Sequence, residues 1–200
     1  MSPLLPTVAS YLSRLPEGEA SYPDCTVKAS LLRNALDARP LGPEVPLPPR
    51  IRALVAHPPP VSVWIPEVHF NAVSIAIRDV HFGGPTLDAY LAWVYDQNRR
   101  LLTTTLYRAL FFVLSPERLL VGMEKRWGSF RRGTEARVVE RSSSAVEIRV
   151  IAPPFLYNET TVRGMAAALQ SAIDCAGARR SRVDGVLLSP TEVSYRGRWG

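Results

Sequence analysis

His57, His69 and His81 are the residues whose side chains could bind a metal or carry a proton near neutral pH. None has a histidine or glutamate partner in the HExxH arrangement, and no CxxC pair supplies thiolates, so local spacing builds no metal centre. Glu67 and His69 stand at i, i+2 on one helical stretch, which points their side chains apart. The three histidines therefore read as surface or helix-cap residues. Cys25 and Cys175 lie far apart in a chain without an export signal, so they read as two buried or half-buried thiols and not as a disulfide. Only Lys28 stands close enough to Cys25 in sequence to favour a thiolate.

Nucleophilic and phosphate chemistry find no better footing. Serines and threonines are plentiful, but none sits in a GxSxG elbow, and the glycines form neither GxGxxG nor GxxxxGK[ST]. A carboxylate pair for acid–base work would come from Asp88, Asp96, Glu117 or Glu124, all on amphipathic stretches where such residues ordinarily face solvent. The pairs Arg99-Arg100, Arg131-Arg132 and Arg179-Arg180 each fall at or near an expected helix C-terminus, where cations complement the macrodipole. That local role accounts for them without nucleic acid.

What does stand out is an aromatic-rich stretch over residues 86–132, in which apolar residues recur every three or four positions. It carries Trp93, Tyr95, Tyr107, Phe111, Phe112, Trp127 and Phe130, more aromatic surface than a small core requires. Core packing of a helical layer on a sheet would use part of this set. The functional reading gives the rest a cavity lined by Tyr90, Trp93, Val94, Tyr107, Phe111 and Trp127, with Asn98 or Tyr107 orienting a bound molecule.

The elements that would position these side chains follow from periodicity. Helices are expected over residues 5–15, 26–38 and 49–57, the second capped by Asp24 or Thr26 and striped by Val27, Leu31, Leu32 and Ala35. The proline-rich segments 40–49 and 58–60 should run extended over a surface. A longer helix opens at Pro66 and buries Val68, Ala72, Ile75, Ala76 and Val80; Gly83-Gly84 ends it. Pro85 opens the next, which carries Leu87, Tyr90, Leu91, Val94 and Leu101, and residues 103–114 form another. Ser115-Pro116-Glu117 then sets a capping hydroxyl, a first-turn proline and a first-turn acid in register for a further helix.

After Gly133 the period changes. Val146, Ile148 and Val150 alternate with Glu147 and Arg149, and Ser142-Ser143-Ser144 turns a hairpin. Residues 160–176 return to helix, with Val162, Met165, Ala166, Leu169, Ile173 and Ala176 on one face and Gly177 past the end. A second hairpin joins 182–188 to 192–198 across Ser189-Pro190. The fold class is α+β: N-terminal helices packed on a small antiparallel sheet of β-β-α-β-β order. Residues 1–60 read as a proline-rich helical layer wrapped on an α+β ligand-binding-like unit at 61–200, one structural unit overall.

Composition sets the outer bounds. Two hundred residues with 46% hydrophobic content fill one core and not clearly two. No apolar run approaches the roughly 20 residues that span a bilayer, and the N-terminus has neither a basic n-region nor a cleavage site, so a cytoplasmic protein is expected. The net charge of +6 comes from the second half of the chain. Arginine makes up all the basic residues except Lys28 and Lys125, a bias of GC-rich coding that weakens the case for an acidic partner.

The segments WIPEVHFNAVSIAI, YRALFFVLSPERLL, RWGSFRRGT and SYRGRW resemble a set of myxobacterial paralogues of about this length, a family described as a domain of unknown function. The resemblance spans residues 60–200, and its most specific part is the LYR…SPERLL…W block. More distantly, the order of elements is similar to the ligand-binding fold of haem–nitric-oxide sensors, four-vinyl-reductase domains and TRAPP subunits. That resemblance implies an apolar or haem ligand held between helices and sheet. Haem sensors of this fold carry a proximal histidine and a Tyr-x-Ser-x-Arg motif toward the propionates. The string taken here as nearest, Ser194-Tyr195-Arg196, has another order and spacing, and only His81 is placed for a proximal role, so no haem or other cofactor is expected.

The reading that results is a non-enzymatic sensory or adaptor domain for a small apolar ligand, a partner protein, or both. Its alternatives are an enzyme whose site is assembled from scattered residues and a basic nucleic-acid-associated protein. Exposed hairpin edges leave room for a homodimer.

Overall fold

The computed structural model describes residues 4–83, 86–103 and 115–200. The first half carries helix α1 (Pro6–Ser13), a single 3-10 turn (Gly18–Ala20), strand β1 (Thr26–Lys28), α2 (Ala29–Ala38), α3 (Pro49–Ala56) and β2 (Trp64–Pro66). Then come α4 (Glu67–Phe82), α5 (Asp88–Leu102), α6 (Pro116–Phe130) and the two-residue β3 (Arg131–Arg132). The chain closes with β4 (Glu135–Arg141), β5 (Ala145–Ile151), α7 (Glu159–Cys175), β6 (Arg182–Ser189) and β7 (Glu192–Arg198). The expected helix over 103–114 and the opening role of Pro85 lie outside the described residues.

Helix α4 is the centre of the molecule. Its first three turns, from Glu67 through Ile77, are buried at every position except the half-buried Phe70, which is the signature of a helix with neighbours nearly all round rather than a surface amphipathic one. The expected buried position Val80 falls in the last turn, beyond those neighbours, and is 44% exposed. Leu101, at the far end of α5, is 36% exposed.

The strand–strand–helix–strand–strand order holds. The four strands form one antiparallel sheet in the order β4-β5-β7-β6, with Ile148 opposite Tyr195 and Glu147 opposite Arg196. Val146, Ile148 and Val150 point into the core, continuous from Val8 of α1 to Tyr195 of β7. Local chemistry sets the helix starts. The Ser115 hydroxyl accepts from the Arg118 amide, with Pro116 and Glu117 in the first turn of α6. Asn158 and Thr161 form a reciprocal capping box at the start of α7.

One element differs from expectation. Residues 26–28 are a strand, not the first turn of a helix, and α2 begins at Ala29 without a side-chain cap from Asp24 or Thr26. Val27 pairs with Ile65 on one side and Arg131 on the other, giving a second antiparallel sheet in the order β2-β1-β3. Long-range pairing around a fully buried β-branched residue outweighs the local helical pattern. The arginine pair 131–132 directly follows the C-terminus of α6, with Arg131 as its C-cap, and also forms the short strand β3.

Candidate functional site

Helix α5 presents Tyr90, Trp93, Val94, Gln97 and Asn98 toward the molecule's interior, all related by steps of three or four residues. Opposite them α4 offers Phe70, Asn71, Ser74 and Ile77. Trp127 of α6, Arg131 of β3, Tyr157, Tyr195 of β7 and the small residues Gly164 and Ala168 of α7 complete a cavity of about 190 Å³. α7 lies close on α5 at Gly164, where a Cβ would make ordinary van der Waals contact with the Tyr90 hydroxyl at 3.4 Å. Tyr90, Trp93, Val94, Asn98 and Trp127 thus meet in one cavity wall, whereas Tyr107 and Phe111 lie outside the described residues.

The wall is mainly apolar, with a few polar groups that converge. Most of these are spent on the protein itself. The Asn98 amide donates to the Val94 carbonyl at 2.8 Å, and the Gln97 amide donates to Asn34 Oδ1 at 3.2 Å. Asn71 donates to the Leu156 carbonyl at 2.9 Å. Trp127 Nε1 donates to Thr134 Oγ1 at 2.9 Å.

Arg131 is the residue that periodicity did not single out as part of a site. It is 5% exposed, and its guanidinium donates to Glu67 Oε1, which also accepts from the Tyr157 hydroxyl at 2.9 Å. The same guanidinium lies 5.4 Å from the Trp127 ring centre and 5.9 Å from that of Phe70, so aromatic faces flank the ion pair. Glu67 has no exposed surface, and its Oε2 has no hydrogen-bond partner among the described residues. Burial pushes the Tyr157 hydroxyl up to about 12 and raises those of Tyr90 and Tyr195 further, so all three phenols stay protonated.

A sequence signal for Arg131 did exist. Trp127, Ser129 and Arg131 keep the spacing of Tyr-x-Ser-x-Arg with tryptophan in place of tyrosine, a closer match than Ser194-Tyr195-Arg196. Trp127 and Arg131 line the cavity, while Ser129 faces solvent.

The histidines stand elsewhere. His57 and His81 are exposed, with His81 Nε2 at 2.8 Å from the Pro40 carbonyl. His69 is buried, contrary to its surface reading, and its Nε2 lies 3.1 Å from the Glu19 carbonyl. Burial lowers its pKa, which favours the neutral ring. The Cys25 thiol donates to the Gly133 carbonyl at 3.3 Å, and Cys175 is half-buried; burial raises both thiols. Among the described residues no group of three metal-ligating side chains forms a metal site, and no helix is long and apolar enough to cross a membrane.

A wider groove of about 690 Å³ runs beside α5, α7 and strands β5, β6 and β7. Several of its charged side chains are already paired: Glu147 is held by Arg149 and Arg196 within the groove, and Arg163 pairs with Glu159 outside it. The smaller, more apolar cavity is the better candidate.

Residues 30–200 match the family described as "Protein of unknown function (DUF2378)". No curated protein matches the chain. Among solved structures, the chain is similar to the unliganded Fe(II) H-NOX protein from K. algicida (TM-score 0.53) and to a point mutant of it (TM-score 0.54). It is also similar to Cs H-NOX carrying 4-cyano-L-phenylalanine (TM-score 0.52). Each is 9% identical, and each alignment covers 86% of this chain and 96% of the other. At that identity the likeness is one of fold.

Haem, which that fold implies, does not suit the residues present. The lining side chains include no histidine or cysteine among the described residues. Drug-sized ligands occupy roughly 300–1,000 Å³ and haem is no smaller, whereas this cavity holds about 190 Å³.

Proposed function

We propose, from the premise that this chain belongs to the DUF2378 family, that it is a non-enzymatic sensory domain. It binds a small, mainly apolar molecule in the cavity between α5, α4 and the four-stranded sheet. The cavity itself carries the reading. Close packing leaves few spaces of about 190 Å³ lined mainly by apolar and aromatic side chains with convergent polar groups, and that is the ordinary form of a small-molecule site. The proteins of similar fold are named for an Fe(II) centre, which supports an internal ligand position in this architecture, with different chemistry here. Protonated, buried tyrosines favour recognition by hydrogen bonding over proton transfer, and this supports binding over catalysis.

Benzene is a suitable first probe, since engineered apolar cavities of about 150 Å³ take it up. Benzene should raise the thermal midpoint of the wild-type chain. Ala168→Leu, which fills the cavity from α7, should raise the midpoint without benzene and abolish the benzene response. No response in the wild type, or equal responses in both proteins, would refute the reading.

A further inference from the structure

Two side chains on the cavity wall, Arg131 and Tyr195, have hydrogen-bond donors that are not used within the protein. Among the described residues, the Arg131 guanidinium makes a single hydrogen bond, to Glu67, and its other N–H groups have no acceptor. Tyr195 is 3% exposed, lines the same cavity, and its hydroxyl makes no hydrogen bond at all among the described residues. Neither the Tyr195 hydroxyl nor an Arg131 nitrogen is among the fully buried, unpartnered atoms of the described residues, so both donors open onto the cavity, where a bound molecule can take them from water. Tyr157 does not fill that role, because its own hydroxyl is spent on Glu67.

The charge balance narrows the partner. Glu67 already neutralises Arg131 within the core. A carboxylate or phosphate ligand would add a second negative charge beside Glu67, away from water, with no cation left to offset it. A neutral oxygen can take the free N–H and O–H groups without that cost. We propose that the ligand is a small, mainly apolar molecule with one uncharged acceptor, a ketone, aldehyde or ester carbonyl, received jointly by Arg131 and Tyr195. This rests on the cavity being a binding site, as argued above.

Three probes of similar shape separate the two ideas: ethylbenzene, acetophenone and benzoate, each titrated calorimetrically into the full chain. Acetophenone should bind at least about tenfold more tightly than ethylbenzene, the scale of a hydrogen bond to a charged donor. Benzoate should bind more weakly than acetophenone. Tyr195→Phe, which keeps the ring and removes only the hydroxyl, should weaken acetophenone by about three- to tenfold and leave ethylbenzene unchanged. The Glu67→Gln/Arg131→Met double variant, which removes both charges together, should cut the preference for acetophenone to the roughly three- to tenfold that the Tyr195 hydroxyl supplies. Equal binding of ethylbenzene and acetophenone in the wild type would overturn the carbonyl assignment while leaving the cavity a binding site. Benzoate binding more tightly than acetophenone would overturn the preference for a neutral group. If none of the three binds, the cavity reading falls and this inference falls with it.

Discussion

Arg131 reaches across from β3 to Glu67, the first residue of α4, and the two form an ion pair in the core with neither side chain more than 6% exposed. The pair ties the central helix to the small sheet and forms part of the cavity's polar wall. Its energetics are asymmetric. Two charges removed from water together offset each other, but removing one strands the other. Glu67→Ala should therefore cost about 3–5 kcal/mol of unfolding free energy by urea denaturation, whereas Glu67→Gln/Arg131→Met should come within about 2 kcal/mol of wild type. Equal losses for the single and double variants would show that the charges are not coupled.

Gly133 fixes the point where the small sheet hands over to the large one. It adopts φ +74°, and a Cβ there would stand 2.6 Å from the Asp24 carbonyl oxygen and 2.8 Å from Cys25 Cα, backbone that cannot swing aside. Both the strained conformation and the clash argue for a loss of about 2–3 kcal/mol in Gly133→Ala. In a chain of this length that lowers the thermal midpoint by roughly 5–10 °C, readable by calorimetry. An unchanged midpoint would mean that the turn can rearrange without cost.

These two features show which parts of the molecule were legible in the residues and which were not. The start of α6 could be read because Ser115, Pro116 and Glu117 act on backbone groups within one turn. The hairpins could be read because Val146, Ile148 and Val150 alternate over a full strand. The small sheet could not, since strands of two or three residues carry no period and Val27 is held by partners far along the chain. The site divides in the same way. Tyr90, Trp93, Val94 and Asn98 share a helix face and were visible as a stripe, while Gln97 on that face was not picked out. Arg131, Tyr157 and Tyr195 sit on a two-residue strand, a loop and another strand, so only the tertiary fold brings them together. Glu147 is the opposite case. Alternation placed it on the outward face, yet it is 3% exposed because Arg149 and Arg196 lie over it.

That arrangement gives Glu147 a pH signature. Hydrogen bonding from Arg196 first, then from Arg149 and Ser194, outweighs desolvation and holds its carboxyl at about 2. A carboxylate whose folded pKa is depressed stabilises the fold above its unfolded value, near 4.3, and that stability fades as pH falls toward 2. Because the covering arginines are partly exposed, the contribution is about 1–2 kcal/mol after screening. Glu147→Gln should be less stable than wild type by that amount at pH 7, with the gap closing between about pH 5 and pH 2 in urea titrations. A gap that stays constant with pH would assign the loss to packing and not to charge.

Trp93 belongs to two spaces at once. Its indole lines the inner cavity and also an outer groove of about 500 Å³ between α2 and α5, bordered by Asp37, Arg39, Asp96 and Arg100. It packs on Phe82 and Tyr90 at ring separations of 5.3 and 5.7 Å, so it is held as a partition between the two. Being half-buried and on a helix surface, it contributes more to the cavity wall than to the core, and Trp93→Ala should keep its helical circular dichroism. Opening the partition removes apolar contacts from the ligand and admits water. Ethylbenzene, which needs no polar partner, should then bind at least about tenfold more weakly, with most of the change in the dissociation rate. Trp93→Phe should fall between the two. Wild-type affinity in Trp93→Ala would remove α5's tryptophan from the site and move the ligand toward α7 and the sheet.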